Sequence, residues 1–165
     1  MTDATVVPAG DHWTLIFVRE LRKPPAAVWA ALTDPAALDR WAPFTAASPL
    51  DKTGATTLTM VDGDERTDLP AEVLRAEKPA LLEYTWGNDL LRWELEPSGE
   101  GTRLTLRHTL AEPGMEAMVA AGWHICADVL ERLLDGEPTR AIRGREAMDH
   151  GWAGLRDAYA GKFKI

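Results

Sequence analysis

The chain has 165 residues, 45% of them hydrophobic, one cysteine, and a formal charge of −8 from 18 basic and 26 acidic residues. That length suits one domain burying roughly 70% of its unfolded surface without disulfides or metals, and the apolar content excludes a disordered chain. The acidic balance argues against nucleic acid as a partner, no apolar run is long enough for a membrane span, and the opening MTDATVVPAGD lacks the features of a signal peptide, so a reducing cytoplasm is the expected location.

Residues 1–11 read as a flexible N-terminus and 12–165 as a single domain. HWTLIFVREL (12–21) alternates as a strand that places Trp13, Leu15, Phe17, Arg19 and Leu21 on one face. Lys23-Pro24-Pro25 ends it, and AAVWAALT continues as a short amphipathic helix. Asp34 then caps a second short helix with Pro35 in its first turn, ending near Pro43.

A run of strands follows: 55–61, 69–77, 81–86, 90–96 and 102–110, with turn signals at Asp62-Gly63, Gly87-Asn88 and Pro97-Ser98-Gly99. Leu82, Tyr84, Trp86, Leu91, Trp93, Leu95, Leu104, Leu106, His108 and Leu110 share one parity, while Glu83, Arg92, Glu94, Arg103 and Arg107 take the other. This is an antiparallel meander with one dry and one wet face. After Glu112-Pro113-Gly114, residues 115–134 form a helix whose stripe is Met118, Gly122, Ile125, Val129 and Leu133, with Cys126 and Leu130 beside it. A last helix begins near Arg145 and carries Met148, Trp152, Leu155 and Tyr159. The dry face needs a cover, and a long amphipathic C-terminal helix supplies it. The expected fold is therefore α+β, a curved antiparallel sheet gripping a long C-terminal helix, with two short helices after the first strand.

The segments FVRELRKPPAAVWAALTDPAALDRWAPF (17–44), VLRAEKPALLEYTW (73–86) and GWHICADVLERLLDGEP (122–138) resemble the START-like, or Bet v 1-like, helix-grip superfamily (SRPBCC), and within it the Hsp90-ATPase-activator-like branch. The resemblance covers nearly the whole chain. It implies a cavity between sheet and long helix that often holds an apolar small molecule. Functions in the superfamily range over lipid and hormone carriers, polyketide aromatases/cyclases and Hsp90 activators, so fold is implied more sharply than function.

No GxSxG, HExxH, GxGxxG, P-loop or CxxC motif is present, and His12, His108, His124 and His150 are too dispersed for a metal motif. No catalytic residue, metal or cofactor is assigned. The inward faces supply the cavity candidates: Phe17 and Arg19 on the first strand, Met60, Tyr84, Trp86, Trp93, Leu106 and His108 on later strands, and Met118, Gly122, Ile125 and Cys126 on the long helix. Trp41 and Phe44 join them from the loop that the resemblance places near the cavity mouth. His108, among leucines, either orients a ligand or is a hydrogen-bonded structural histidine. Arg19 either meets an acidic ligand or is paired structurally. Trp123 and His124 begin the gripping part of the long helix. The Asp62, Asp64, Glu65, Asp68 cluster reads as a solvated hairpin tip.

The leading expectation is a domain that binds a small apolar or aromatic molecule. The alternatives are an Hsp90-activator-like module with a chaperone as partner, and a cavity-based aromatase/cyclase-type enzyme. Ligand identity and oligomeric state are not fixed by the sequence.

Overall fold

The computed structural model describes residues 2–164. Alternation is realised as an eight-stranded antiparallel sheet of β1 (Thr2–Ala9), β2 (His12–Leu21), β3 (Phe44–Ala46), β4 (Gly54–Asp62), β5 (Glu65–Glu77), β6 (Leu81–Trp86), β7 (Asp89–Ser98) and β8 (Gly101–Leu110). The spatial order is β1-β2-β8-β7-β6-β5-β4-β3. Two-residue loops set the hairpin registers at Asp62↔Glu65 and Trp86↔Asp89. Both loops start on a glycine with positive φ, Gly63 at 61° and Gly87 at 60°, a conformation that a Cβ disfavours. On the wet face, Glu94 bridges two arginines that face each other in register, Arg92 at 3.1 Å and Arg107 at 2.9 Å. Partial burial pushes the Glu94 carboxyl up, and the two arginine hydrogen bonds hold it below its ordinary value.

The helices are α1 (Pro25–Thr33), α2 (Pro35–Leu38), α3 (Glu116–Leu134), a 3-10 helix at Gly144–His150, and α4 (Trp152–Phe163). Asp34 caps α2 as expected, its side chain accepting from the Ala36 N–H. The long helix α3 lies across the dry face, whose buried row includes Leu82, Tyr84, Leu91, Trp93, Leu104 and Leu106. No helix among the described residues is long and apolar enough to cross a membrane.

Several expectations need correction. The N-terminal segment read as flexible is the edge strand β1, paired with β2 from Thr2↔Arg19 to Ala9↔His12. The stripe of α3 holds in part: Ile125, Cys126, Val129 and Leu130 are buried as expected, Ala120, Trp123 and Ala127 are buried as well, and Met118, Gly122 and Leu133 are only half-buried. The cause is α4, which packs on α3 and buries a second face of it. The last helix is split by Gly151, whose φ of 81° ends the 3-10 turn, and Met148 is left exposed. Trp13, expected inward, is 42% exposed: it is paired with Pro8 and Leu110 but lines an open groove near the start of α3.

At the start of β8 the backbone passes so close to β2 that a Cβ on Gly101 would lie 2.0 Å from the Leu21 carbonyl oxygen. Gly101→Ala is therefore expected to force a backbone shift costing about 1–3 kcal/mol. Urea unfolding checks this, and an unchanged midpoint would mean that the contact relaxes freely.

Candidate functional site

Alanines decide how α3 meets the sheet. Ala117, Ala120, Ala121 and Ala127 are all buried, which brings the helix close to the strands. Trp123 is the one aromatic among the buried residues of α3, and the sheet answers with aromatics. Trp93 lies 5.3 Å from Trp123 between ring centroids, Trp86 lies 5.9 Å from it, and Trp41 packs on Trp93 at 6.0 Å. Edge-to-face geometry dominates, as the ring quadrupoles favour. Tyr84 accepts from the Trp93 indole N–H at 3.2 Å, and burial pushes its phenol well above the ordinary value.

His108 is tied into this cluster through both ring nitrogens. Its Nδ1 accepts from the Trp123 indole N–H at 2.9 Å, so the proton sits on Nε2, which donates to Asp89 Oδ2 at 2.6 Å. The other Asp89 oxygen accepts from the Ala111 N–H at 3.0 Å. Burial pushes the Asp89 carboxyl up, but these two hydrogen bonds more than offset it and hold the group below its ordinary value. His108 is 1% exposed and has no nitrogen left for a ligand.

Arg19 is buried on β2 beneath α3. Its guanidinium donates to Asp128 at 2.8 Å, with Glu131 at 3.7 Å. His124, one turn from Asp128, shares a 2.7 Å hydrogen bond with the Tyr159 hydroxyl and so joins α3 to α4. Burial lowers the affinity of His124 for a proton, Asp128 opposes this, and Arg19 adds to it.

Beside this core lies a cavity of about 310 Å3 between the β4–β5 hairpin, α3 and the 3-10 segment. Its apolar walls come from Met60, Trp86, Val119, Ile125, Ile142 and Trp152, and Trp123 forms part of its floor. Gly122 opens onto it, and a Cβ added there would meet nothing within 4 Å. Polar groups sit at the rim: Asp62, Glu65, Thr67 and Arg143. Arg143 is committed elsewhere, donating to the carbonyls of Ala42 at 2.8 Å and Leu38 at 3.2 Å, with Asp39 Oδ1 at 3.5 Å. Asp62 and Glu65 form no ion pair among the described residues, so the rim carries free negative charge. The Cys126 thiol faces the same cavity, and burial pushes it up to about 12, which leaves it protonated and a poor nucleophile. Among the described residues no three His, Cys, Asp or Glu side chains gather as a metal would require.

The residues chosen from the sequence divide. Met60, Trp86, Gly122, Ile125 and Cys126 line this cavity. Phe17, Arg19, Trp41, Trp93 and Leu106 border instead a nearly filled void of about 10 Å3 deeper under α3. Phe44, Tyr84 and His108 are core. Met118 belongs to a different groove, of about 610 Å3, near Trp13 and Phe163. The charged groups of that groove are occupied, Glu116 at the start of α3 and Arg156 with Asp157 and the Trp152 ring. Residues not selected from the sequence are Val119, Ile142, Arg143, Ala147 and Trp152 on the cavity wall, and Asp89 behind His108. Asp89 was findable, because it shares the inward parity of Leu91 and Trp93. The segment 137–143 has no regular structure and hence no period to read.

The family model described as Activator of Hsp90 ATPase homolog 1-like protein matches residues 22–135, well over half of the chain. No curated protein matches the sequence. Among solved structures, CalU16 from Micromonospora echinospora superposes with a TM-score of 0.72 at 23% identity, over 98% of this chain and 97% of that one. A conserved protein of unknown function from Enterococcus faecalis gives a TM-score of 0.72 at 16% identity, over 97% and 90%. DynU16, a protein from the dynemicin biosynthetic locus, gives 0.68 at 26% identity over 80% of this chain and 51% of that one. The structural likenesses establish the helix-grip fold. The matched region runs through both short helices, β3 to β8 and α3, and on that match the chain belongs to the Activator of Hsp90 ATPase homolog 1-like family of the SRPBCC, or Bet v 1-like, superfamily.

Proposed function

We propose that this protein binds a small apolar or aromatic molecule in the cavity beside Trp123 and Gly122. The observation that carries the reading is Gly122. It is a helix-interior glycine, which costs about 1 kcal/mol relative to alanine, and it faces open space rather than a neighbouring backbone. Packing does not require the missing side chain there, and unlike the equally open helical Gly154 and Gly161 it borders the cavity, where its absence leaves room for an occupant. Three tryptophan rings, those of Trp86, Trp123 and Trp152, border the same space, and aromatic walls with few polar groups are the usual lining of a small-molecule site. The free carboxylates of Asp62 and Glu65 at the rim favour a neutral or cationic ligand over an anion. A structural relative from a biosynthetic locus supports a small-molecule role.

Gly122→Leu tests the reading. A Cβ at 122 meets nothing within 4 Å and the rest of the leucine extends into the cavity, so the fold should be kept and the melting temperature should hold or rise. Neutral aromatic ligands that quench tryptophan emission in the parent should bind at least about tenfold more weakly in the variant. Equal binding in parent and variant would place the ligand elsewhere. If no apolar ligand binds and an Hsp90 turns over ATP faster in the presence of this protein alone, a chaperone partner replaces the reading.

A further inference from the structure

Under α3, behind the cavity, the nearly closed void of about 10 Å3 has apolar walls apart from one group, Arg19. Arg19 Nε is the one buried side-chain nitrogen or oxygen among the described residues that lacks a hydrogen-bond partner. A charged donor buried without an acceptor is costly to leave unmade. A single water is a poor remedy. The space is about one probe sphere, and a buried water needs at least two polar partners where the wall offers one. Phe17, Trp41, Trp93, Leu106 and Leu130 cannot accept a hydrogen bond there.

Trp123 is a wall of both spaces, the outer cavity and the inner void. It is the partition between them; among the described residues its indole makes one side-chain hydrogen bond, the 2.9 Å contact to His108, and otherwise rests on the rings of Trp86 and Trp93. We infer that the void is the inner end of the ligand site: the Trp123 indole swings aside, and a neutral carbonyl oxygen at the end of an apolar ligand accepts from Arg19 Nε. This rests on the binding function proposed above. The indole has to move because a carbonyl and its carbon exceed the void as it stands. The acceptor has to be neutral because the Arg19 charge is already matched by Asp128 at 2.8 Å and Glu131 at 3.7 Å. A carboxylate would bring a third anion into an apolar chamber, with no further cation to meet it.

The experiment compares benzylacetone, an aryl ketone, with butylbenzene, its hydrocarbon counterpart, by calorimetric titration of the full chain and of Arg19→Lys. Lysine keeps the positive charge beside Asp128 but has no donor at the Nε position. Taking the ratio of the two affinities in each protein cancels the greater hydrophobicity of butylbenzene. The ketone-to-hydrocarbon ratio should fall by about tenfold or more in Arg19→Lys, the scale of one hydrogen bond from a charged donor. Trp123→Phe supplies an arm that does not depend on Arg19→Lys folding. It keeps a ring but loses the tether to His108, so ketone affinity should rise by about fivefold relative to the hydrocarbon. If both ligands bind and neither variant moves the ratio, the inner subsite is refuted while the outer cavity stands. If neither ligand binds the parent protein, the binding function and the subsite fall together.

Discussion

Trp123→Ala is expected to destabilise the protein by about 3–5 kcal/mol, the range for removing a large aromatic from a packed interior. Trp123 is 4% exposed and touches the rings of Trp86, Trp93 and His108. Its neighbours are aromatics fixed by their own hydrogen bonds, Trp93 to Tyr84 and Trp86 to the Met60 sulfur, so the site collapses poorly around the missing indole. For a chain of this length each kcal/mol moves the melting temperature by about 2–4 °C, so a fall of at least about 6 °C is expected. The same truncation joins the outer cavity to the inner void, so bulkier aromatics than the parent accepts should bind and restore part of the lost stability. Calorimetric melting with and without such a ligand measures both effects. A fall of only a degree or two would show that the partition carries no packing.

His108→Ala should cost about 2–4 kcal/mol, through two orphaned partners rather than through lost apolar area. The variant leaves the Trp123 indole N–H and an Asp89 oxygen without their partners. The Asp89 end also gives an acid dependence of known sign. Burial alone raises its carboxyl, yet the hydrogen bonds from His108 and Ala111 win and hold it below the unfolded value of about 3.9. The stability it contributes is therefore complete above that pH and drains away as pH falls through the lower folded value. Asp89→Asn should flatten the acid side of the stability profile near pH 4 while leaving its slope unchanged above pH 6. A profile as steep as the parent's would mean that other carboxylates, Glu94 among them, carry the acid response.

The meander was legible because its two faces see different solvents. Strands β6 to β8 place Leu82, Leu91, Leu95, Leu104 and Leu106 on the dry face and Arg92, Glu94 and Arg107 on the wet one. Strand β1 was not legible, because an edge strand with one neighbour needs no sharp alternation and Pro8 interrupts what pattern there is. Strand β3 has three residues, too few to show a period. On α3 a single apolar stripe was the wrong template, since the helix is covered by the sheet on one side and by α4 on another. Spacing alone found the buried Ile125 and Val129 but also favoured Met118, Gly122 and Leu133, which are half-buried. The small residues Ala120 and Ala127 mark the true close approach, with Trp123 between them. Five of the fourteen chosen residues line the outer cavity because strand parity and helix spacing place side chains on a face, whereas the far wall comes from the aperiodic stretch before α4.

The Arg143 clamp bears on how long an occupant stays. The outer wall of the cavity is a segment whose residues 137–143 lack regular secondary structure, so little cooperative backbone bonding holds it shut. What fastens it is the Arg143 guanidinium, spread over the carbonyls of Leu38, Ala42 and Phe44 at the end of α2 and the start of β3, together with the Thr139 hydroxyl, which donates to the Arg40 carbonyl at 3.1 Å, and the buried Ile142. On the binding role proposed above, an occupant behind that wall would leave as those contacts part, and its residence time would follow the opening of this clasp instead of the depth of the apolar floor. On that role, depth of binding would rest with Trp123 and its neighbours and speed of exchange with the clasp around Arg143.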